Sequence, residues 1–296
     1  VAQALDYMYL AEGSDWFWWY GADQDSGQDE YFDEGFRALL RKVYESLGEP
    51  VPAFVDVPII PKKPVRADQE VQGLSTPTVD GRVGPGEWDG AAFYGGGSQA
   101  AGADLAYAFD ARNLYVRLTF RQPLPAGARI GMYLVSPRAA EVSPFARAAE
   151  GETPLLTGIA ATHLFEWDGQ ALTAYRPVKS EWQAVGPVGQ AALGADAFEA
   201  AIPWDAIGDL EPGDDLRLVV VLAPSGLMLP VGGPAQVVLP DLGRYTTVLQ
   251  VEDPEGDDHG PGTYTYPTDG VFKPQVFDLK SFTVAYDEKN LVFKFA

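Results

Sequence analysis

Apolar positions fall into two regimes along the chain. Phe32, Phe36, Leu39, Leu40, Val43, Tyr44 and Leu47 recur at helical spacing and predict a helix with one apolar face. Ser26 or Asp25 is placed to cap its start, and Asp29, Glu30, Asp33 and Glu34 load its first turns with the negative charge that the helix dipole favours. Arg37, Arg41 and Lys42 lie further on, and Gly48 followed by Pro50 supplies the stop. Residues 2–10 read as the tail of another helix. Pro58, Pro61 and Pro64 then break every period and predict a stiff, extended segment.

From about Thr76 the period shortens to two. Leu105–Asp110 turns through Ala111, Arg112 and Asn113 into Leu114–Phe120, and Leu164–Trp167 and Leu172–Tyr175 flank Asp168-Gly169, a hairpin signal. Phe198–Ile202 and Leu216–Leu222 follow, the second apolar almost throughout and therefore a central strand. At least seven strands in about 170 residues predict an antiparallel β-sandwich, jelly-roll or immunoglobulin-like. Asp110, Asn113, Leu114 and Val116 have counterparts in Asp287, Asn290, Leu291 and Phe293, 177 positions later. This repeat predicts the opening of a second β module. The expected fold is mixed: a helical segment over 1–57, a Pro-rich linker over 58–75, a sandwich over 76–245, and an incomplete β module over 246–296. Val1 at the start and a last strand without a turn after it give the expectation of a piece of a longer chain.

Composition narrows the function classes. The 296 residues carry 42 acidic against 21 basic side chains, a net charge of −21. Such a surface repels phosphate backbones and anionic membranes, so no nucleic-acid partner is expected. No run approaches the roughly 18 apolar residues of a membrane span. Cys is absent, which excludes disulfides, zinc–thiolate sites and Cys nucleophiles. There is no Gly-x-Ser-x-Gly elbow and no phosphate-binding Gly-Lys loop, and His163 and His259 are the only histidines. His163, near a strand, reads as structural.

Three stretches could carry chemistry. Trp16, Phe17, Trp18, Trp19 and Tyr20 follow Glu12 and Asp15. Flat rings stack on sugar faces and carboxylates accept sugar hydroxyls, so this is either a saccharide-binding wall or a core plug. Trp88 and Trp204 read as core anchors, whereas Trp167, beside a hairpin turn, and Trp182 read as exposed stacking platforms. In the Gly-rich stretch 252–267, Asp253, Asp257 and Asp258 are candidate Ca²⁺ ligands, since crowded carboxylates repel unless neutralised; a solvated acidic loop is the alternative. Asp23, Asp25 and Asp29 form a weaker analogue that helix capping explains almost as well.

The Glu12–Gly21 string, with Asp23, Asp25, Gly27, Asp29, Glu30 and the helix after it, resembles the C-terminal end of glycoside hydrolase family 57, amylopullulanase type. The resemblance implies a helical segment bordering a sugar cleft, with Glu12, Asp15 and Trp16 contacting or supporting substrate. It also implies an upstream catalytic barrel that holds the carboxylate pair, so no catalytic residue is assigned here. Val79, Asp80 and Gly81, Gly86–Ala91, Phe109–Val116 and Glu199–Trp204 resemble carbohydrate-binding module family 9 and DOMON-like sandwiches. The stretch from Glu252 to Pro267 resembles the glucodextranase C-terminal domain. Together these imply an accessory part of a secreted or cell-surface α-glucan hydrolase that binds polysaccharide. The rival reading is a structural module of a surface-layer assembly, with surface-layer proteins as partners. A DOMON-like haem binder would need axial Met and His, of which the chain has 3 and 2.

Overall fold

The computed structural model describes residues 1–18, 20, 26–60, 62–95, 102–149, 151–152, 154–194, 197–240, 246–256, 278–286 and 291–295. The chain forms two compact units, Val1–Pro240 and Asp241–Ala296.

Three helices open the first unit: α1 (Ala2–Ala11), α2 (Ser14–Trp18) and α3 (Asp29–Leu47). The periodic face of α3 receives Trp16, whose ring centroid lies 5.9 Å from Phe32 and 6.1 Å from Phe36. Gly35 leaves room for that indole, since a Cβ there would sit 3.3 Å from it. Gly48 closes α3 in the left-handed conformation, as expected of a C-terminal glycine. The expected N-cap is corrected: Gln28 holds that place without a side-chain cap bond. Ser26 instead donates through its backbone N–H and its hydroxyl to Asp29, and Asp25 lies outside the described residues. The acid of the first turn has taken the acceptor role that a capping serine would play.

The Pro-rich segment is fastened along its length. The buried Asp33 carboxylate accepts Ile59 N–H at 3.1 Å and Arg37 Nε at 3.1 Å, while Arg41 pairs with Asp56. Val65 N–H donates to Pro234 O at 2.9 Å and Asp68 N–H to Phe93 O at 2.8 Å. The backbone that proline keeps extended is thus laid against the β structure as an added edge.

That β structure has two principal antiparallel sheets. The first comprises β1 (Ala92–Tyr94), β2 (Ala103–Phe109), β3 (Asn113–Phe120), β10 (Gln190–Leu193) and β11 (Ala197–Pro203) in the order β1-β2-β3-β11-β10. The second comprises β4 (Arg129–Val135), β7 (His163–Trp167), β8 (Leu172–Val178), β9 (Glu181–Pro187), β12 (Asp215–Ala223) and β13 (Leu227–Leu229), with β14 (Ala235–Val238) also paired to β12. Its order is β13-β12-β4-β7-β8-β9. Inner positions such as Leu105, Leu118, Ile130, Met132, Phe165 and Phe198 are shut off from solvent. Across the layers Trp167 meets Phe198 at 5.4 Å, and Tyr107 Oη donates to Gln236 O at 2.7 Å. The expected sandwich and the central position of Leu216–Leu222 are both present. A short helix, α4 (Trp204–Ile207), follows β11.

Each sheet also has a covered outer face. On the first, Trp88 and Ala91 pack on Ala106, Ala108, Tyr115 and Ala201. On the second, the hairpin of β5 (Ser143–Phe145) and β6 (Leu156–Ala161) lays Ala146, Ile159 and Ala161 over Tyr133, Leu164, Val219 and Val221. Strands buried on both faces lose the alternation of half-buried ones, which is why β7 is buried at every position.

The second unit has a three-stranded antiparallel sheet, β15 (Thr246–Glu252), β16 (Ser281–Tyr286) and β17 (Leu291–Phe295), in sequence order. The strands of the sequence repeat correspond: β16 pairs antiparallel with β17 as β2 does with β3, while Asp287 and Asn290 lie outside the described residues. Register places Leu249, Val251, Phe282, Val284, Phe293 and Phe295 on one face.

Candidate functional site

The described rings of the aromatic stretch differ in burial. Trp16 lies half-buried on α3 and donates its indole N–H to Leu10 O at 2.9 Å, whereas Trp18 is 63% exposed. Glu12 and Asp15 are exposed beside it, and Trp19 lies outside the described residues. Tyr20 packs edge-on against Phe36, where burial, with the nearby Asp33 charge, pushes its hydroxyl up to about 12. Within six residues of sequence, then, rings serve both packing and solvent-facing roles.

The expectation for Trp167 is corrected. It is 7% exposed, because β7 lies inside the second sheet between β4 and β8 and turns this ring onto Phe198. Trp182 is half-buried, donates to Phe145 O at 2.8 Å, and meets Tyr133 edge-on at 5.6 Å. Trp88 and Trp204 are core anchors, as expected. His163 is buried and bonded to Thr162, and burial with the Arg176 charge draws its ring down to about 4.

Two buried glutamates, one on the outer face of each sheet, were not singled out from sequence. Glu199 on β11 accepts Asp80 N–H at 3.2 Å, Gly81 N–H at 2.9 Å and Trp88 Nε1 at 3.0 Å. Arg117 stands directly across from it on β3, its guanidinium 4.9 Å from the Trp88 ring. Both carboxylate oxygens of Glu199 thus accept hydrogen bonds, while Arg117 Nε is buried without a hydrogen-bond partner.

Glu166 on β7 is 3% exposed and is arranged differently. Its Oε1 accepts Arg147 through Nε at 3.0 Å and through Nη2, and lies 3.7 Å from Arg129 Nε. Arg147 is held by Tyr133 Oη, which accepts its backbone N–H at 2.8 Å, and by the Tyr175 ring at 4.9 Å. Burial alone would lower the Arg147 guanidinium, but Glu166 more than offsets it and raises it. Arg129 reaches outward to Glu152 at 2.7 Å, which holds that carboxyl below its ordinary range. These side chains line a cleft of about 200 Å³ with apolar walls from Leu155, Val221, Ala223 and Pro224. Gly131 on its floor has no room for a side chain, since a Cβ there would sit 2.7 Å from the Tyr133 ring.

In the second unit, Asp253 is exposed and its backbone N–H donates to Lys280 O at 2.9 Å. Asp257 and Asp258 lie outside the described residues. Nearby, Asp278 Oδ2 accepts Gly256 N–H at 2.9 Å, while its Oδ1 is buried without a hydrogen-bond partner. Among the described residues, no three Asp, Glu or His side chains are grouped so as to hold a metal ion.

These features define an antiparallel sandwich with a cleft of apolar walls around a cluster of paired charges, followed by a sheet with one apolar face. Residues 248–296 match the family described as the C-terminal binding module, SLH-like, of glucodextranase. No curated protein matches the chain. Among the described residues, no helix is long and apolar enough to cross a membrane.

Proposed function

We propose that this chain is an accessory, non-catalytic part of an α-glucan glycoside hydrolase that binds polysaccharide and holds the enzyme at its substrate or at the cell surface. The observation that carries the reading is the match of residues 248–296 to a glucodextranase binding module. The acidic surface agrees with a neutral polymer as ligand, since it repels nucleic acid and anionic lipid. In this reading residues 1–57 are the end of a family 57 catalytic region, and Glu12, Asp15, Trp16, Trp18 and Trp19 border its sugar cleft. The sandwich is a module of the family 9 or DOMON-like kind. Calcium held by Asp253, Asp257 and Asp258 steadies the acidic loop, with Asp278 supplying a further oxygen.

Affinity electrophoresis of the whole chain through gels containing starch, pullulan or dextran tests the reading. Retardation by at least one of the three polymers is expected, and free passage through all three would refute it. The SLH-like character of the matched family and the apolar face of β15–β17 favour a second reading, a structural module of a surface-layer assembly. Retention on purified cell wall without retention on any glucan would favour that one.

A further inference from the structure

The Glu166 cleft lies in the sandwich, outside the segment that the family match covers. Its charges cancel, Arg129 and Arg147 against Glu152 and Glu166, so it favours neither an anion nor a cation. Hydrogen-bonding capacity nevertheless remains on its floor. Arg129 Nε is buried and has no hydrogen-bond partner. No described residue donates to Glu166 Oε2, because both Arg147 bonds go to Oε1. An unused donor therefore lies beside an unused acceptor, and both side chains are held: Arg129 is paired with Glu152, and Glu166, on a central strand, is paired with Arg147.

Adjacent hydroxyls on a saturated ring complement such a pair, since each can donate to the carboxylate while accepting from the guanidinium. The C–H face of the same ring would lie on Val221, Ala223 and Pro224. Pockets for drug-sized ligands measure about 300–1,000 Å³; a cleft of about 200 Å³ admits one ring and not a run of several.

We propose that the cleft between β4, β7, the segment after β5 and the β12–β13 turn is a binding site for a single neutral sugar ring, with Glu166 and Arg129 reading adjacent hydroxyls. The class of ligand rests on the carbohydrate reading given above, and its place rests on the cleft alone. The site needs no stacking tryptophan, so it is separate from the aromatic stretch near the N-terminus.

The test is titration of the whole chain with D-glucose, D-galactose and D-mannose, followed by backbone amide spectra. Saturable shifts confined to the amides of Gly131, Arg147, Ala148 and Gly226 are expected with at least one sugar. Ala148→Phe, which fills the half-exposed rim, should weaken that binding at least tenfold while leaving the rest of the spectrum in place. Leu155→Trp fills the cleft from another wall and serves if the first variant does not fold. Glu166→Gln should also weaken binding tenfold or more. Absence of shifts with all three sugars, shifts placed elsewhere, or unchanged affinity in the filled variants would overturn the proposal. Retardation in glucan gels separates it from the broader reading. A retained chain whose cleft amides stay still loses the cleft and keeps the function. A chain that takes a sugar in the cleft yet passes every glucan gel freely keeps the cleft and loses the function.

Discussion

Glu199 and Glu166 are near-mirror features with different uses. Each is a buried acid on the outward side of a central strand, and each faces arginine. Around Glu199, two backbone N–H groups and an indole close the shell, so the carboxylate ties the 80–88 loop to the sheet. Around Glu166 the shell is left open on one side, and the arginines that neutralise it also border a cleft. A buried charge is costly unless satisfied. The complete shell marks a structural acid; the incomplete one marks a place where something else can complete it.

The largest expected effect breaks the first shell. Glu199→Ala strands Arg117, the Trp88 indole and two backbone N–H groups, at a cost of about 3–5 kcal/mol, on the order of 10 °C in melting temperature for a domain of this size. Thermal unfolding measures it. A loss no greater than that of Glu166→Gln would erase the contrast between the two acids.

Next in size is a pH effect in the core that both sheets share. His163 titrates near 4 in the fold against 6.5 for the free side chain, because burial and Arg176 disfavour its cation. The unfolded chain therefore binds the proton first. Stability from this group is complete above about pH 6.5 and is lost as pH falls toward 4, by about 3 kcal/mol in all. Depressed carboxyls such as Asp110, Glu87 and Asp214 act in the opposite part of the acid range, because their contribution is lost below their ordinary values of 3.8 to 4.5. Denaturant unfolding of wild type and His163→Gln at pH 7 and pH 4.5 separates the two windows. The variant should lose most of the wild type's decline, and an equal decline in both would remove His163 from the account.

Glu166→Gln should cost less, about 1–3 kcal/mol, since the amide keeps an acceptor for Arg147 and Arg129 remains paired with Glu152. The same denaturant curves measure it. A cost near that of Glu199→Ala would make Glu166 a second structural tie and leave the cleft a by-product of packing.

Much of this architecture was legible where period and turn chemistry agree. Asp168-Gly169 marks the β7–β8 turn, and the Asp168 carboxylate accepts the N–H groups of Gln170 and Ala171, each at 2.9 Å. Asp110 does the same for Arg112 and Asn113 before β3. The short strands β5, β10 and β13, of three or four residues, are too brief to show a period. Trp167 was misplaced because nearness to a turn says nothing of a strand's place in its sheet. The cleft was invisible for a related reason. Arg129, Arg147, Glu166 and Val221 come from separate elements, and Arg147 belongs to no periodic run. One usable signal was present: an acid set in the otherwise apolar Leu164–Trp167, where a buried charge demands a partner from elsewhere in the chain.

The smallest stability effect carries the sharpest test of the aromatic stretch. Trp18 is 63% exposed, so Trp18→Ala should change stability by no more than about 0.5 kcal/mol. Trp16→Ala empties the space over Phe32, Phe36 and Gly35 and should cost about 2–3 kcal/mol. If the stretch borders a sugar cleft, Trp18→Ala lowers retardation in glucan gels while its melting temperature stays that of wild type. Packing does not produce that combination, because an unchanged melting temperature shows that the fold has not been loosened. Unchanged retardation would confine these aromatics to holding α3 and leave the sandwich and the C-terminal sheet as the parts that meet polysaccharide.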